Sequence, residues 1–531
     1  MSSLGRSSAL IAAGTLVSRV TGLLRTIVLV AAIGAVGQAS DAFTIANQLP
    51  NYLFQVLSAG LITAVLVPQI VKWSAREDGG RAHLSKLFTL GTVVLLAVTA
   101  LAMLCAPLLV RLFGDDWGPA QSALSTAFAY WCLPQVFFYG MFALVGETLN
   151  ARRVFGPYAW APIVNNVISI VGFGLFIALF GGQRNEVDQW DPLMIAVMGG
   201  VATLGIAAQT ALLLVFWRRT GLSLRPDFRW RGLGLGEIRK LAGWSFAMLI
   251  VGLVVSTVQQ RVISAASGDD PSSTVWFSAW LVFMLPYSII VMSIGTPYFT
   301  QLSEHASAGR DDDVRSDIAR SIRTLGLFVI LATAALMVAS VPAARVFTGS
   351  AAEAAAAAPV LVGFLVSLVP LAVQFVVQRT FYAYGDTRTP FLFTAFQAAI
   401  AIGLALLAGL VFPPEHLTAA VAVSQSISSI AQVVLASWLL RRRLGTLGMG
   451  RSLAALGRFT LAALPAAGAG ALVYVLCGGD AGWMTSGRIP GALGTALIGG
   501  AAALVYVGLL AVFRTPELGT AIRLVRRLIR R

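Results

Sequence analysis

Charge is scarce in this chain. Asp, Glu, Lys and Arg supply 11% of its 531 residues, 57% are hydrophobic, and the mean hydropathy is +0.81. That balance excludes a soluble protein with a single anchor and indicates a polytopic membrane protein. The three cysteines, Cys105, Cys132 and Cys477, stand singly in apolar segments with no CxxC spacing, so neither a disulfide nor a thiolate metal site is expected. His83, His305 and His416 fall in three different loops, which argues against a histidine metal site, and no cofactor is expected. Acidic residues are few inside the apolar segments: only Asp41 and Glu147 lie near them, both close to segment ends. A membrane glycosyltransferase or phosphatase needs paired acids, a metal cluster or a nucleophile with a base. The run Asp311-Asp312-Asp313 is the nearest approach, but beside Arg310 and Arg315 it reads as a charged surface helix, and no enzyme is expected. No short apolar region with a cleavage site precedes the first segment, so a removed signal peptide is not expected.

What charge there is falls in telling places. Residues 9–36 are long enough to cross a bilayer, which needs roughly 20 apolar residues, yet they contain Arg19 and Arg25. On insertion scales each guanidinium costs about 2.5–3.5 kcal/mol at the bilayer centre. Either both face water, a partner or an anionic ligand, or both snorkel to the inner surface from a helix that starts later. Arg25 lies roughly 9 Å deeper than Arg19 and about 240° around a straight helix. The two share a cavity only if it is wide or the helix bends, and Gly22 between them permits a bend.

Apolar runs bounded by charge, Gly and Pro predict an all-α protein of about fourteen transmembrane helices. They lie near 9–36, 43–71, 87–113, 120–150, 157–181, 193–217, 241–266, 274–302, 322–347, 355–383, 390–412, 417–440, 454–477 and 490–513. The net charge of +15 would suit nucleic acid, but the charges are distributed as a topology signal. Of the 38 basic residues, 31 lie on the side of the termini, and only Arg111, Arg184, Arg345 and Arg488 lie in the opposite loops. The positive-inside rule then places both termini of a multi-pass membrane protein in the cytoplasm.

The chain also repeats itself. Pro50 and Pro286 are 236 positions apart, as are Pro134 and Pro370, and LNARRVFGP at 149–157 parallels YAYGDTRTP at 382–390. Residues 1–220 and 221–443 therefore read as two pseudo-symmetric six-helix halves of parallel topology. Two additional helices follow in 444–514, and 515–531 form a basic tail. Prolines inside spans 2, 4, 8 and 10 predict kinks. In the tail, Leu518, Ile522, Val525 and Ile529 share one helical face, which fits an interfacial helix on anionic lipid or a simple positive-inside stop.

TLVSRVTGLLR at 15–25, SDAFTIANQLPN at 40–51, the Gly60 to Pro68 end of span 2, LNARRVFGPYAWAPIVNN at 149–166, LPYSIIVMSIGT at 285–296 and FYAYGDTRTP at 381–390 carry a resemblance. In matching order from about residue 9 to 440, they resemble the MurJ (MviN) family of lipid II flippases in the multidrug/oligosaccharidyl-lipid/polysaccharide exporter superfamily. The resemblance implies transport, not catalysis. Its substrate would be undecaprenyl-pyrophosphate-linked disaccharide-pentapeptide, moved from inner to outer leaflet by alternating access for peptidoglycan synthesis, cell-wall biogenesis and cell shape. It implies pyrophosphate binding by Arg19 and Arg25, cavity-lining or gating roles for Ser18, Asp41, Asn51 and Arg261, and a lipid-tail groove in the last two spans. Guanidinium forks suit that ligand, since they bind phosphate oxygens bidentately. Three features depart from the family pattern. Thr26 stands where many members have an acid, Phe54 and Gln55 where many have a basic pair, and Trp280 and Leu281 where many have Asp-Arg. Arg261, next to Gln260, fits a cavity role or snorkelling equally. A flippase for another lipid-linked glycan of teichoic-acid or capsule type, and a non-transporting scaffold for cell-wall or division proteins, are the alternatives. A multidrug exporter is less fitting, because organic cations call for cavity carboxylates.

Overall fold

In the computed structural model, the described residues are 3–58, 81–114, 116–152, 154, 156–220, 223, 225–229, 239–446 and 449–519. Side chains are described except those of 3–13, 16, 82, 239–242, 245 and 449. The later part of the second expected span, with Gly60 and Pro68, and the tail from residue 520 lie outside the described residues, as does Arg153. The chain packs as two compact units, residues 1–269 and 270–531.

The first unit contains α1 (Ser3–Ile33), α2 (Gln38–Leu57), α3 (Arg81–Leu104), α4 (Ala106–Phe113), α5 (Pro119–Cys132), α6 (Gln135–Ala151), α7 (Gly156–Phe180), α8 (Pro192–Phe216) and α9 (Arg239–Ser264). α1 packs along α7 and α7 along α8, while α2 lies against α5 and α6. The tight turn from α1 to α2 needs glycine. Gly34 and Gly37 have φ of 87° and 140°, and a Cβ on Gly37 would stand 2.5 Å from that of Asn185. Local signals set other ends: Asp191 accepts the Met194 amide at 2.8 Å and Pro192 opens α8, an N-cap followed by a pre-shaped first turn. Leu84, Leu87, Leu95, Leu144, Leu149 and Leu213 form a core between α3, α6 and α8.

The second unit contains α10 (Ser273–Pro286), α11 (Ser293–Ser307), α12 (Asp311–Val338), α13 (Ser340–Arg345), α14 (Ala351–Leu365), α15 (Leu368–Ala383), α16 (Arg388–Val411), α17 (Pro414–Leu444), α18 (Met449–Leu476) and α19 (Arg488–Val512). Residues Tyr287–Met292 join α10 to α11 as a π-helical turn directly after Pro286. The expected break at Pro134 falls between α5 and α6, and that near Pro370 between α14 and α15, whereas α2 continues as helix through Pro50. Two further spans are also interrupted, at Cys105 before α4 and at Ala339 before α13. The triple-aspartate run opens α12, where Asp312 pairs with Arg315 at 2.7 Å and Asp313 with Arg310 at 3.4 Å. Acids in a first turn face the positive end of the helix dipole, so this run suits the start of a helix.

Twelve helices among the described residues are long and apolar enough to cross a membrane, counting interrupted spans such as Pro119–Ala151 as one. α1 and α2 occupy the first two expected spans in addition. Large apolar side chains such as Leu410 (86% exposed) stand bare on the outside, as they must where the solvent is hydrocarbon. The last two helices belong to the second unit's core. Leu327 and Ile330 of α12, Phe459 and Ala466 of α18, and Ala502 and Tyr506 of α19 pack together, and the Tyr506 hydroxyl donates to the Leu327 carbonyl at 3.0 Å. Arg345, counted above among the few basic residues of the opposite loops, is buried. Its Nε donates to the Thr485 carbonyl at 2.9 Å and its Nη1 to the Thr348 carbonyl at 2.6 Å.

Candidate binding pocket around Arg25

Arg25 enters a polar pocket of about 210 Å³ inside the first unit. α1 contributes Arg25 and Leu29, α2 contributes Asn47, Gln48 and Asn51, and α6 contributes Gln135 and Tyr139. Asn165, Ser169 and Phe173 of α7, with Ala202 and Ile206 of α8, complete the wall. At about 30 Å³ per water the space takes roughly seven waters, enough for a phosphate-sized group and too little for a sugar chain.

The walls are held by amide hydrogen bonds. Gln135 Nε2 donates to Asn47 Oδ1 at 3.1 Å and to Thr203 Oγ1 at 3.3 Å, and the Thr203 hydroxyl donates to the Trp131 carbonyl at 2.6 Å. Asn51 Nδ2 donates to Gln48 Oε1 at 3.4 Å, and Ser169 Oγ to Asn165 Oδ1 at 3.4 Å. The break before Pro134 is what allows Gln135 to begin a new helix with its amide turned to α2 and α8. α8 approaches α7 closely at Gly205, where a Cβ would stand 2.2 Å from Asn165 Oδ1. Donors and acceptors of amides, one guanidinium and a phenol make a site for an anion with several oxygens.

The structure separates the two arginines. α1 is helical from Ser3 to Ile33, through Gly22, and Arg19 is exposed and does not line the pocket that receives Arg25. Ser18 is half-buried, and its carbonyl accepts from Asn166 Nδ2 at 3.1 Å, which ties α1 to α7 beside the pocket. Asn51 lines the pocket. Asp41 is buried elsewhere: its Oδ2 accepts from Ser267 Oγ at 2.7 Å, and Ser267 Oγ also accepts from Gln121 Nε2 at 2.8 Å. With the Trp117 indole donating to the Ser264 carbonyl at 3.3 Å, these bonds fasten the end of α9 to α2 and α5. Arg261 is exposed on α9, where its carbonyl accepts from Ser264 Oγ at 2.6 Å.

Sequence reasoning did not single out Gln135, Tyr139, Asn165 or Ser169. The departure at Phe54 has a local explanation: its ring stacks on Tyr139 with centroids 5.4 Å apart, within the apolar cluster around α3 and α6. The 236-residue offset carries over to the pockets: the positions of Asn51, Gln135 and Tyr139 correspond to Tyr287, Leu371 and Phe375, which line a second pocket of about 320 Å³ in the second unit. There Arg379 stacks over Phe299 and Phe375, 5.0 and 5.2 Å from the ring centroids.

Solved structures share this fold. A lipid II flippase MurJ in an inward closed conformation superposes with a TM-score of 0.74 at 20% identity, over 95% of this chain and 98% of that one. An inward-facing multidrug resistance transporter of the MATE family, in the MOP superfamily, gives 0.64 at 14% identity, over 81% and 96%. Among sequence relatives, the probable lipid II flippase MurJ of Haemophilus influenzae is 29% identical over 322 residues, 57% of this chain and 59% of that protein. The match thus spans less than two thirds of that relative. The Rhizobium meliloti protein described in the same words is 27% identical over 418 residues, 76% of this chain and 75% of its own. The family described as lipid II flippase MurJ matches residues 29–486, most of the length, and the chain belongs to that family.

Proposed function

We propose that this chain flips lipid II, the undecaprenyl-pyrophosphate-linked disaccharide-pentapeptide, from the inner to the outer leaflet of the bacterial cytoplasmic membrane by alternating access. Both termini then face the cytoplasm, as the basic loops require. The observation that carries the reading is Arg25, an intramembrane cation set in a small pocket of amides and one phenol. Membership of a transporter family supplies the substrate class, and the pocket supplies chemistry that suits its pyrophosphate. Arg25 is the inner anchor and Arg19, about 1.7 turns away on the exposed side of α1, is the outer one that meets the anion first. Ser18 and Asn51 shape the walls, Asp41 latches α2 to the end of α9, and Arg261 guides the approach. Residues 1–220 and 221–443 act as the two repeats, and the two terminal helices hold the polyprenyl tail. The alternative, a flippase for another lipid-linked glycan, draws only on the missing cationic positions at Phe54, Gln55 and Leu281.

The test is depletion of the native flippase with complementation by this chain, reading lipid II on each leaflet. The wild-type chain is expected to restore outward movement, and Arg25→Ala to leave lipid II on the inner leaflet at normal membrane levels. Full transport by the Arg19→Ala/Arg25→Ala double variant would end the pyrophosphate reading.

A further inference from the structure

A cavity of about 870 Å³ in the second unit shares no lining residue with the Arg25 pocket. It opens between α11, α12 and α18, and four arginines line it. Arg320 and Arg323 stand one turn apart on α12, and Arg451 and Arg458 two turns apart on α18, so each pair shares a helical face. α12 and α18 are packed together by Leu327, Ala455 and Phe459, which brings the pairs to one opening. One carboxylate answers them. Glu517, just beyond α19, places Oε1 3.4 Å from Arg323 Nε, and its other oxygen is buried without a hydrogen-bond partner among the described residues. Among the described residues Arg320, Arg451 and Arg458 have no acidic partner, leaving a local charge of about +3.

The level of the cavity identifies what it meets. Arg323 is the last charged residue of α12, which continues uncharged to Val338, and Arg458 is the last of α18, which continues uncharged to Leu476. The arginines therefore stand where each helix passes from polar to apolar surroundings, the level of lipid phosphates. Guanidinium pairs match the geometry of phosphate oxygens. A buried carboxylate with one unpaired oxygen is a costly occupant that a phosphate, carrying more acceptors, replaces favourably.

We propose that this pocket is a receptor site for the phosphate of an anionic membrane lipid, and that Glu517 is an internal carboxylate which that phosphate displaces. Since Leu518 packs on the core formed by α12, α18 and α19, displacement of Glu517 would loosen the segment leading into the basic tail, coupling lipid composition to the end of the chain.

The full chain in neutral detergent, titrated with phosphatidylglycerol, phosphatidylcholine or inorganic pyrophosphate and read by native mass spectrometry, tests this without any transport readout. Phosphatidylglycerol is expected to bind well above phosphatidylcholine, and Arg320→Gln/Arg458→Gln to weaken it about tenfold while leaving phosphatidylcholine unchanged. Glu517→Gln should strengthen phosphatidylglycerol binding several-fold, the direction a purely structural ion pair would not give. A weakening by Glu517→Gln, or no response to the arginine double variant, overturns the proposal. Saturation of the same arginines by pyrophosphate with phosphatidylglycerol unable to compete overturns the lipid assignment in favour of a soluble anion. Because binding is read directly, a failed flippase assay leaves these outcomes unaffected.

Discussion

At the scale of single residues, Arg25 decides most. An arginine inside a span costs about 2.5–3.5 kcal/mol on insertion scales, and its neighbours are amides and a phenol that carry no compensating charge. On the proposed reading, an anion that completes the site offsets that cost. Arg25→Lys keeps the charge but loses the planar fork, so transport should fall at least tenfold while membrane levels hold, checked by leaflet-resolved lipid II in complemented cells. The Phe54 and Leu281 departures make separate predictions for restored cations. Phe54 is stacked on Tyr139 inside an apolar cluster, so Phe54→Arg should lower thermal stability in detergent by burying an unpaired charge. Leu281 lies in a span without such a stack, so Leu281→Arg should carry only the insertion cost of about 2.5–3.5 kcal/mol and leave lipid II transport near wild type. A clear gain in flipping by Leu281→Arg would show that the site had merely lost an anchor.

At the scale of elements, the loop after α15 illustrates what motif residues do. Asp386 accepts the Thr389 amide at 3.0 Å and its hydroxyl at 2.8 Å, opening α16, and pairs with Arg443 at 3.1 Å. Partial burial would raise its pKa, but these bonds and Arg443 outweigh that and hold it below the usual carboxylate range. Its stabilisation is therefore complete above the ordinary carboxylate pKa and is lost as pH falls through the depressed value. Asp386→Ala should cost about 0.5–2 kcal/mol, as lost caps do, and the gap in Tm between it and wild type should shrink on acidification. The elements themselves were legible because charge, Gly and Pro punctuate apolar runs, and the kinks at Pro134 and near Pro370 followed from the missing amide donor. The breaks at Cys105 and Ala339 were missed, although Pro107 and Pro342 stand just beyond them and lack the same donor. Arg345 was misleading for another reason: a basic residue in a short loop reads as a topology mark, and only packing reveals that it caps carbonyls of the Thr485 and Thr348 turns. The pocket was half legible. Arg25 announced itself by its cost, but Gln135, Asn165 and Ser169 are ordinary polar residues in helices until α2, α6 and α7 bring them to one space.

At the scale of the whole molecule, a lipid II flippase must carry a charged head group across a membrane that is negative inside. Moving one elementary charge through 100 mV is worth about 2.3 kcal/mol, so a doubly anionic pyrophosphate moving alone outward would gain roughly 4.6 kcal/mol. Held against Arg25, and with Arg19 on the same helix, that charge is largely cancelled, and the loaded carrier should respond weakly to potential. The empty carrier keeps its cations. Its return toward the inner side is then the step that an inside-negative potential favours, so potential should accelerate resetting more than loading. Proteoliposomes with an imposed potential check this by comparing single-turnover with multiple-turnover translocation of lipid II. Multiple turnover should accelerate and single turnover should change little. Equal indifference, or a response confined to the single turnover, would place the charge movement elsewhere. The arginine-neutralised variants cannot serve as the control, because they should also lose the anion; the control is an imposed potential of opposite sign, under which multiple turnover should slow.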